Sequence, residues 1–305
     1  MSWKVTLPCT KAEAEALTGD IAPLALLDSP PVLMTSEPDP GRPDDWRMDA
    51  YFEAEPGPDD LALLLGLLPS ARDATPLVEQ LGDEDWVTLS QAGLEPIRAG
   101  RFFVHTPAHR DEVPAGAVAF EIDAGRAFGT GQHETTTGCL LALDRLKATG
   151  ASFNDIADVG TGTGLLAFAA MHLWPAARAI ASDIDPVAIE VAEENARING
   201  VKPGRARGQL ELAVAPGLEH PRLKARAPYD LIIANILAGP LIELAPGLAG
   251  ALAPGGRLIL AGLLDHQAEA VTAAYRRQGM MAGASVLRGD WPTLMLRKRK
   301  ATGWR

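Results

Sequence analysis

The sequence predicts an α/β protein of two units, a small α+β sandwich followed by a doubly wound sheet. The chain has 305 residues, which is more than one typical domain of about 100 to 200 residues. Its composition, 47% hydrophobic and 22% charged, is that of a globular protein. Near Phe128 the pattern changes to alternating apolar strands and amphipathic helices, which is typical of a largely parallel sheet.

Residues 1–90 predict the element order β-α-β-β-α-β. The predicted strands and helices are, in order, WKVTLP, TKAEAEAL, PVLMTSE, DWRMDAYFEA, DDLALLLGLL and DWVTL. This order is typical of a ferredoxin-like α+β domain. Residues 91–127 hold short apolar clusters such as RFFVH and AVAFEI with Pro and Gly between them, and they predict a linker with short strands.

Residues 128–305 predict the doubly wound sheet. The predicted strands are Asp155–Val159, Arg178–Ser182, Gln209–Val214, Asp230–Ala234, Arg257–Leu260 and a closing strand pair. The predicted helices are Thr136–Lys147, Gly164–Leu173, Pro186–Asn199, a helical stretch from Pro240, and Asp265–Gln278. Asp185 followed by Pro186 is a suitable N-cap and first residue for the third of these helices.

The composition excludes several classes of protein. A net charge of −11 opposes binding to polyanions through a broad basic surface, so no sequence-specific nucleic-acid partner is expected. Two cysteines, Cys9 and Cys139, are too few for a disulfide framework. The first residues lack a secretory signal, and no uninterrupted apolar stretch reaches the roughly 18 residues of a membrane span. We therefore expect a soluble, cytoplasmic protein with no membrane partner.

Charge is unevenly distributed along the chain. Residues 1–56 contain 11 acidic and four basic residues, which gives −7 of the total charge. This segment is either a solvated acidic surface or a face that steers a basic partner. The opposite end carries the basic run Arg297–Lys300, which by itself indicates only the solvated end of a terminal strand.

The segment IADVGTGTGLLAFAA predicts a strand, a glycine-rich turn and a helix. Gly160 and Gly162 let the backbone approach a ligand closely, although glycines at such a turn can also serve only the turn. A dinucleotide site would need glycine at position 165, where this chain has Leu165. The spacing G-x-G-x-G favours S-adenosylmethionine over a nicotinamide cofactor.

Two polar residues follow the next strands of this predicted sheet. Asp183 lies 23 residues after Gly160, about where an acidic residue binds a ribose, while Asp185 is expected to cap the helix that follows. Asn235 ends the strand in YDLIIAN, at the sheet edge where open α/β proteins bind ligands. It is either a turn-forming residue or an acceptor for an incoming amine. Asp158 is either structural or close to the ammonium group of the cofactor's methionine.

The segment AFGTGQHETTTGCLLAL precedes the first strand of the sheet. Thr135 or Thr136 could cap the helix that begins here. His133 and Glu134 begin an HExxH pattern, but its last position is Thr137, so no metal site is expected. The sequence also lacks a G-x-S-x-G elbow and a G-x-x-x-x-G-K-[ST] loop, which excludes the corresponding hydrolases and nucleotide triphosphatases.

Taken together, these segments resemble one methyltransferase family. FGTGQHETT, DVGTGTG, ASDIDPVAIEVAEENARING and IIANILA occur in this order behind a small α/β module, as in the ribosomal protein L-eleven methyltransferases, which modify the eleventh protein of the large subunit. The stretch DWVTLSQAGLEPIRAGRFFVH is similar to the family's middle region, so the resemblance covers most of the chain. One departure is Glu134, where the family usually has proline.

The resemblance implies a fold, a cofactor and a set of contacts. The fold is the Rossmann-like sheet of class I methyltransferases behind a substrate-recognition domain at residues 1–90. Separately from the resemblance, we expect a monomer. The cofactor is S-adenosylmethionine, with contacts at Thr136, Gly160, Asp183 and Asn235, to which the glycine pattern adds Gly162. The implied substrate is ribosomal protein L-eleven, free or on the large subunit.

The implied reaction is methyl transfer to lysine side-chain amines and to an N-terminal amine. Only the neutral amine can attack, and deprotonating a lysine at pH 7 costs about 4.6 kcal/mol. An apolar pocket and the adjacent sulfonium supply part of this, so Asn235 is expected to orient the amine without a dedicated carboxylate base. The alternatives are a methyltransferase for another protein lysine or a small amine, and a non-catalytic S-adenosylmethionine-binding protein. A nicotinamide oxidoreductase is disfavoured by Leu165.

Overall fold

The computed structural model describes residues 2–17, 31–36, 46–52, 54–72, 74–81, 96–122 and 132–300. The chain divides into two compact units, Met1–Ser90 and Gln91–Arg305. None of the helices in the described segments combines the length and the hydropathy that crossing a bilayer requires.

The first unit is an antiparallel sheet with two helices. Its elements are β1 (Ser2–Cys9), α1 (Lys11–Ala16), β2 (Val32–Ser36), β3 (Trp46–Phe52), α2 (Pro58–Leu67) and β4 (Leu77–Leu81). The strand order is β2-β3-β1-β4, and every neighbouring pair is antiparallel. Alternate residues of β1 and β3 are buried against Leu64 of α2 because a strand turns every second side chain to one face. This is the ferredoxin-like topology that the element order predicts.

The last strand of this unit lies where the sequence analysis predicts none. The structure has β4 at Leu77–Leu81, paired with β1 through contacts such as Val5 with Val78. The predicted strand DWVTL, at positions 85–89, lies outside the described residues. The sequence of this strand does not alternate between apolar and polar residues, since the adjacent Leu77 and Val78 are both apolar and both exposed. The strand also directly follows a proline.

The segment after the first unit contains the short strands that its apolar clusters predict. They are β5 (Ile97–Ala99), β6 (Phe102–His105) and β7 (Val118–Glu121), which form a three-stranded sheet. Phe120 packs near Phe168, with ring centroids 6.5 Å apart, and both belong to the core of the second unit. The described part of this segment is therefore integrated into that unit, whereas the sequence predicts a linker.

The second unit is built on a seven-stranded sheet. Its strands are β8 (Asp155–Val159), β9 (Arg178–Asp183), β10 (Leu210–Val214), β11 (Tyr229–Asn235), β12 (Leu252–Ala261), β13 (Met280–Arg288) and β14 (Trp291–Lys298). The order is β10-β9-β8-β11-β12-β14-β13. The first five are parallel, and β14 is antiparallel to both of its neighbours. The strand order reverses between β8 and β11, which places a ligand-binding crevice at their carboxyl ends.

Helices cover both faces of this sheet. They are α3 (Gln132–Ala148), α4 (Leu165–Leu173), α5 (Pro186–Ile198), α6 (Pro221–Arg226), α7 (Ala238–Glu243), α8 (Ala245–Ala251) and α9 (Ala268–Arg277). Ile233 of β11 is buried in one core with α3 and α4, while its neighbour Ile232 is buried in a second core with α6 to α9. This arrangement confirms the predicted doubly wound α/β fold, including its closing strand pair.

Two helix predictions differ from the structure. The helical stretch predicted from Pro240 begins at Ala238 and is divided into α7 and α8, because Pro246 has no N–H to continue a helix across that point. Helix α3 begins at Gln132, four residues before the predicted start. Thr135 and Thr136 therefore lie inside its first turns and do not cap it.

Candidate functional site

A cavity of about 780 Å³ lies at the carboxyl edge of the large sheet. It is formed by the residues that end or follow β8, β9, β10 and β11, together with the start of α3 and of β14. All the predicted site residues line it, namely Thr136, Gly160, Gly162, Asp183 and Asn235. The structure thus brings together five residues that are spread over 100 positions of the sequence.

The turn after β8 requires glycine for two reasons. Gly160 has φ +71° and Gly162 has φ +54°, a region that residues with a side chain rarely adopt. A Cβ atom at Gly160 would collide with the side chain of Ile236, whereas one at Gly162 would meet open space. The turn is fixed to β9, because the N–H groups of Gly160 and Thr161 both donate to the Ser182 carbonyl.

Asp183 is the last residue of β9, and backbone N–H groups hold its carboxylate at the cavity. Gly162 N donates to its Oδ2 at 2.9 Å, and Asp185 N donates to its Oδ1 at 3.1 Å. Asp185 in turn accepts a hydrogen bond from Val187 N at 2.9 Å and caps α5. The structure thus confirms Asp185 as the cap and places Asp183 in the cavity lining, while the contact of Asp183 with a ribose stays a prediction.

Asp158 lies behind the glycine turn and does not line the cavity. Its side chain is 1% exposed, and its Oδ2 accepts a hydrogen bond from Thr161 Oγ1 at 2.6 Å. Burial raises the pKa of this carboxyl to about 7. Of the two roles that the sequence left open for Asp158, the geometry supports the structural one.

Asn235 is the last residue of β11 and reaches the cavity half-buried. Within the described part of the chain, its amide makes no side-chain hydrogen bond. A turn-forming asparagine would bond to its own neighbouring backbone, so this geometry favours a ligand-binding role. The amide offers one carbonyl acceptor and an NH₂ donor to whatever enters the cavity.

Apolar side chains surround these polar groups. Ile184 follows Asp183 and is 72% exposed, and Leu237 follows Asn235 by two residues and is 71% exposed. Ile236, Pro240 and Leu244 extend this lining along one side. Large apolar side chains that are this exposed in a cavity can pack against the flat or aliphatic part of a ligand.

The charged residues that line the cavity are all acidic. Two acidic residues, Asp183 and Glu243, line the cavity, and no Lys, Arg or His stands among its described lining residues. A cavity of this kind favours a cationic occupant. In the described segments no three side chains of His, Cys, Asp or Glu converge as a metal site would require.

The start of α3 closes one side of the cavity. Thr135 and Thr136 are buried there, and Trp291 of β14 and Gly262 complete this wall. Glu134, in the same turn, forms an ion pair with Arg288 of β13 at 3.1 Å. The preceding loop, residues 123–131, and the side chain of His133 lie outside the described residues.

Ile184, Glu243 and Trp291 are among the lining residues that sequence reasoning did not single out. Ile184 carries a usable signal, because an apolar residue directly after the strand-terminal acid must lie at the same sheet edge. Glu243 and Trp291 carry none, since they reach the cavity only through the positions of α7 and β14 in the fold.

Comparison with known proteins agrees with this architecture. The family model described as ribosomal protein L11 methyltransferase (PrmA) matches residues 11–299. A ribosomal protein L11 methyltransferase of Brucella suis is 48% identical over 219 residues, which cover 72% of this chain and 74% of the relative. The corresponding protein of Agrobacterium fabrum is 42% identical over 268 residues, covering 87% of this chain and 89% of the relative.

Among solved structures, the crystal structure of the ribosomal protein L11 methylase from Lactobacillus delbrueckii subsp. bulgaricus is similar to this chain. It has a TM-score of 0.57 and 28% sequence identity, and the match covers 68% of this chain and 100% of that one. With a family model that spans most of the chain and relatives at 42% and 48% identity, the chain belongs to the ribosomal protein L11 methyltransferase family.

Proposed function

We propose that this protein transfers the methyl group of S-adenosylmethionine to lysine side-chain amines and an N-terminal amine of ribosomal protein L11. Membership of the family supports the activity, the methyl donor and the protein substrate. The structural observation that carries the proposal is the Asn235 amide, which makes no hydrogen bond within the described residues and lines an acidic, largely apolar cavity.

The residues of the cavity fit S-adenosylmethionine. Asp183 keeps acceptor capacity for ribose hydroxyls, because a carboxylate offers about four lone-pair sites and two of them take backbone N–H groups. The open space at Gly162 lets a ligand reach the backbone of the turn, and Thr136 also lines the cavity. When bound, the cofactor supplies an electrophilic methyl group on a cationic sulfonium, which the acidic lining accommodates.

The same cavity can bind the amine and favour its neutral form. Glu243 is exposed, so its carboxylate attracts an approaching ammonium but is screened by water. Ile236 and Leu237, which follow Asn235 in the chain, present apolar surface in the lining of the same cavity. Desolvation against such surface, together with a neighbouring positive charge, lowers the pKa of a lysine amine and offsets part of the roughly 4.6 kcal/mol needed at pH 7.

Asn235 is the proposed catalytic residue. Its side-chain carbonyl would accept an N–H of the amine and so point the nitrogen lone pair along the line of attack, a positioning role. No dedicated carboxylate base is proposed, because Asp183 is bound to the backbone and Glu243 lies exposed on α7. The substrate ammonium would instead release its proton to water before the attack, because one side of it remains solvated.

Replacing Asn235 tests this role. Asn235→Ala should lower turnover by about 10²-fold or more, as the loss of one preorganised polar group does in other active sites. The assay is transfer of labelled methyl groups to purified ribosomal protein L11. Calorimetry with S-adenosylhomocysteine measures separately how much the loss of the predicted Asn235 contact weakens cofactor binding, and turnover is compared at saturating cofactor. Turnover close to that of the unmodified enzyme contradicts the amine-orienting role.

The substrate can be tested separately. Labelled donor is incubated with the enzyme and either intact large subunits or the separated subunit proteins. Label in the band of ribosomal protein L11 supports the proposed substrate, whereas label in another protein indicates a different protein substrate. Absence of transfer to any protein or small amine, with the cofactor bound, indicates a non-catalytic binding protein.

The first unit is the proposed substrate-recognition domain. Its sequence is acidic, with 11 acidic and four basic residues at positions 1–56, and ribosomal proteins are generally basic. We also propose that the enzyme acts as a monomer in the cytoplasm, where its ribosomal substrate is made, without a membrane partner and without sequence-specific contact to nucleic acid.

A further inference from the structure

The edge of the large sheet opposite the cavity carries an unpaired group of basic residues. Arg257 of β12 lies directly across from Arg297 of the antiparallel strand β14, and Arg299 and Lys300 follow on the same chain. These four residues are named the basic edge. Lys298 does not belong to it, because its Nζ donates to the Ala249 and Leu252 carbonyls at 2.7 Å each.

The geometry of the strands places Arg257 and Arg297 side by side. Residues directly opposite each other in an antiparallel pair project from the same face, and successive residues project from opposite faces. Lys298 takes the face of α8, so Arg257 and Arg297 share the other one. Lys300 lies at the turn before Arg257, with its Cγ 3.3 Å from the place of a Cβ at Gly255.

No carboxylate among the described residues neutralises the basic edge. None of its four residues forms an ion pair there, and burial together with the charge of Arg297 lowers the pKa of Arg257. The neighbouring acid, Asp230, accepts hydrogen bonds from Asn154 N and Asp155 N at its Oδ2 and forms no ion pair with the basic edge. Like charges held opposite one another on two strands are unfavourable unless an anion joins them.

Three other arginines at this end of the sheet lie within ion-pair distance of a carboxylate. Arg178 pairs with Asp155 at 2.7 Å, and Arg205 pairs with the buried Glu211 at 3.0 Å. Arg226 also approaches Glu211, at 3.7 Å. The basic edge differs from them in that none of its four residues has a carboxylate partner among the described residues.

We propose that the basic edge binds the phosphate backbone of RNA and holds the enzyme beside RNA-bound substrate. A row of cations along strand ends matches a linear polyphosphate, and such contacts are independent of sequence. Arg257 lies roughly 13 Å along β12 from Ala261, which directly precedes the cavity-lining Gly262. RNA bound at the basic edge therefore leaves the cavity open. The net charge of −11 hides this local excess of positive charge.

The inference rests on the proposed function in one respect, namely that the substrate is a ribosomal protein and therefore a neighbour of RNA. Its failure is distinguishable from failure of that function. Methyl transfer to free ribosomal protein L11 involves no RNA, so substitutions in the basic edge should leave it unchanged.

Fluorescence anisotropy with a labelled 20-base-pair RNA duplex of mixed sequence tests the proposal. Four phosphate contacts predict a slope near −3.6 for log K against log salt, and affinity should fall on the order of 10²-fold between 50 and 200 mM salt. Arg299→Ala with Lys300→Ala changes two exposed residues and should make the slope shallower by about 2. The matched control, Arg197→Ala with Lys202→Ala, removes the same charge from exposed residues near β10 and should leave the slope unchanged.

Three outcomes overturn the proposal. The first is no binding of the duplex at 50 mM salt, and the second is an equal loss of affinity in the control variant. The third is binding to vesicles of phosphatidylglycerol and phosphatidylcholine in preference to RNA, which would assign the basic edge to a lipid surface. A salt slope that changes only in the Arg299→Ala, Lys300→Ala variant, with methylation of the free protein preserved, supports it.

Discussion

Asp183 and Asp185 are two carboxylates two positions apart whose surroundings give them different tasks. Asp183→Ala should weaken binding of S-adenosylhomocysteine by roughly 1.5–3 kcal/mol, the range for hydrogen bonds to a charged group. Asp185→Ala is the matched control, because it removes the cap of α5 and should lower stability by about 1 kcal/mol with little effect on affinity. Calorimetry and urea unfolding of both variants measure the two effects. Equal loss of affinity in the two variants contradicts the assignment.

Asp158 should make the stability of the second unit depend on pH. Its pKa in the folded protein, about 7, lies above that of an unfolded aspartate because the carboxyl is buried. Between these two values the unfolded chain has released a proton that the native protein retains, so the free energy of unfolding falls as pH rises towards 7. Above pH 7 this contribution is constant.

The variant Asp158→Asn isolates that contribution, because an amide does not titrate while its oxygen can still accept from Thr161 Oγ1. Urea unfolding at pH 5 and pH 8 should show a smaller loss of stability in the variant than in the unmodified protein. All other titrating groups are common to both proteins and cancel in the comparison. An identical loss in the two proteins would show that Asp158 is ionised throughout this range.

At the scale of elements, the glycine turn between β8 and α4 depends on a close approach to Ile236. Gly160→Ala adds a Cβ that collides with that side chain at a φ of +71°, so it should lower stability by more than about 1 kcal/mol. Gly200→Ala is the control, since Gly200 has a similar φ of +66° with open space around it.

The two variants separate backbone strain from collision. Thermal unfolding should show the larger loss for Gly160→Ala, and only this variant should bind S-adenosylhomocysteine more weakly, because it displaces Ile236 in the cavity wall. Comparable losses of stability would mean that Ile236 moves aside without resistance.

The elements of the large sheet were predictable because each strand is a short apolar run between turn residues and each helix has its own apolar face. β8, β9 and β11 are almost fully buried, so their sequences carry a strong signal. The strand Leu77–Leu81 was not predictable, since its exposed apolar residues and Glu79 give no alternation. The split at Pro246 was in principle visible as a missing N–H inside a helical pattern.

The candidate site was predictable to the extent that it lies at strand ends. Gly160, Asp183 and Asn235 end or follow parallel strands, and these ends meet at one edge in any sheet of this class. Thr136 followed from the family resemblance rather than from its pattern. Trp291 was not predictable, because it comes to the cavity only once β14 has been inserted beside β12, a pairing that local sequence does not encode.

At the scale of the whole molecule, the acidic sequence of residues 1–56 predicts that salt slows the encounter with a basic substrate. The value of kcat/KM for free ribosomal protein L11 should fall as the salt concentration rises from about 50 mM, where the Debye length exceeds 10 Å, to 500 mM. Binding of S-adenosylhomocysteine, measured over the same range, is the control and should change much less. A flat profile of kcat/KM removes the steering role of this segment.

The position of β14 also governs when a newly made chain acquires its site. β13 is synthesised before β14, but it joins the sheet only through β14, which lies between β13 and β12. Until β14 pairs with it, β12 is an unpaired edge strand, and the cavity lacks the part of its wall that Trp291 forms. Of the strands in the described residues, β14 is the last to be synthesised, so a chain interrupted before it has a cavity that lacks the part of its wall formed by Trp291.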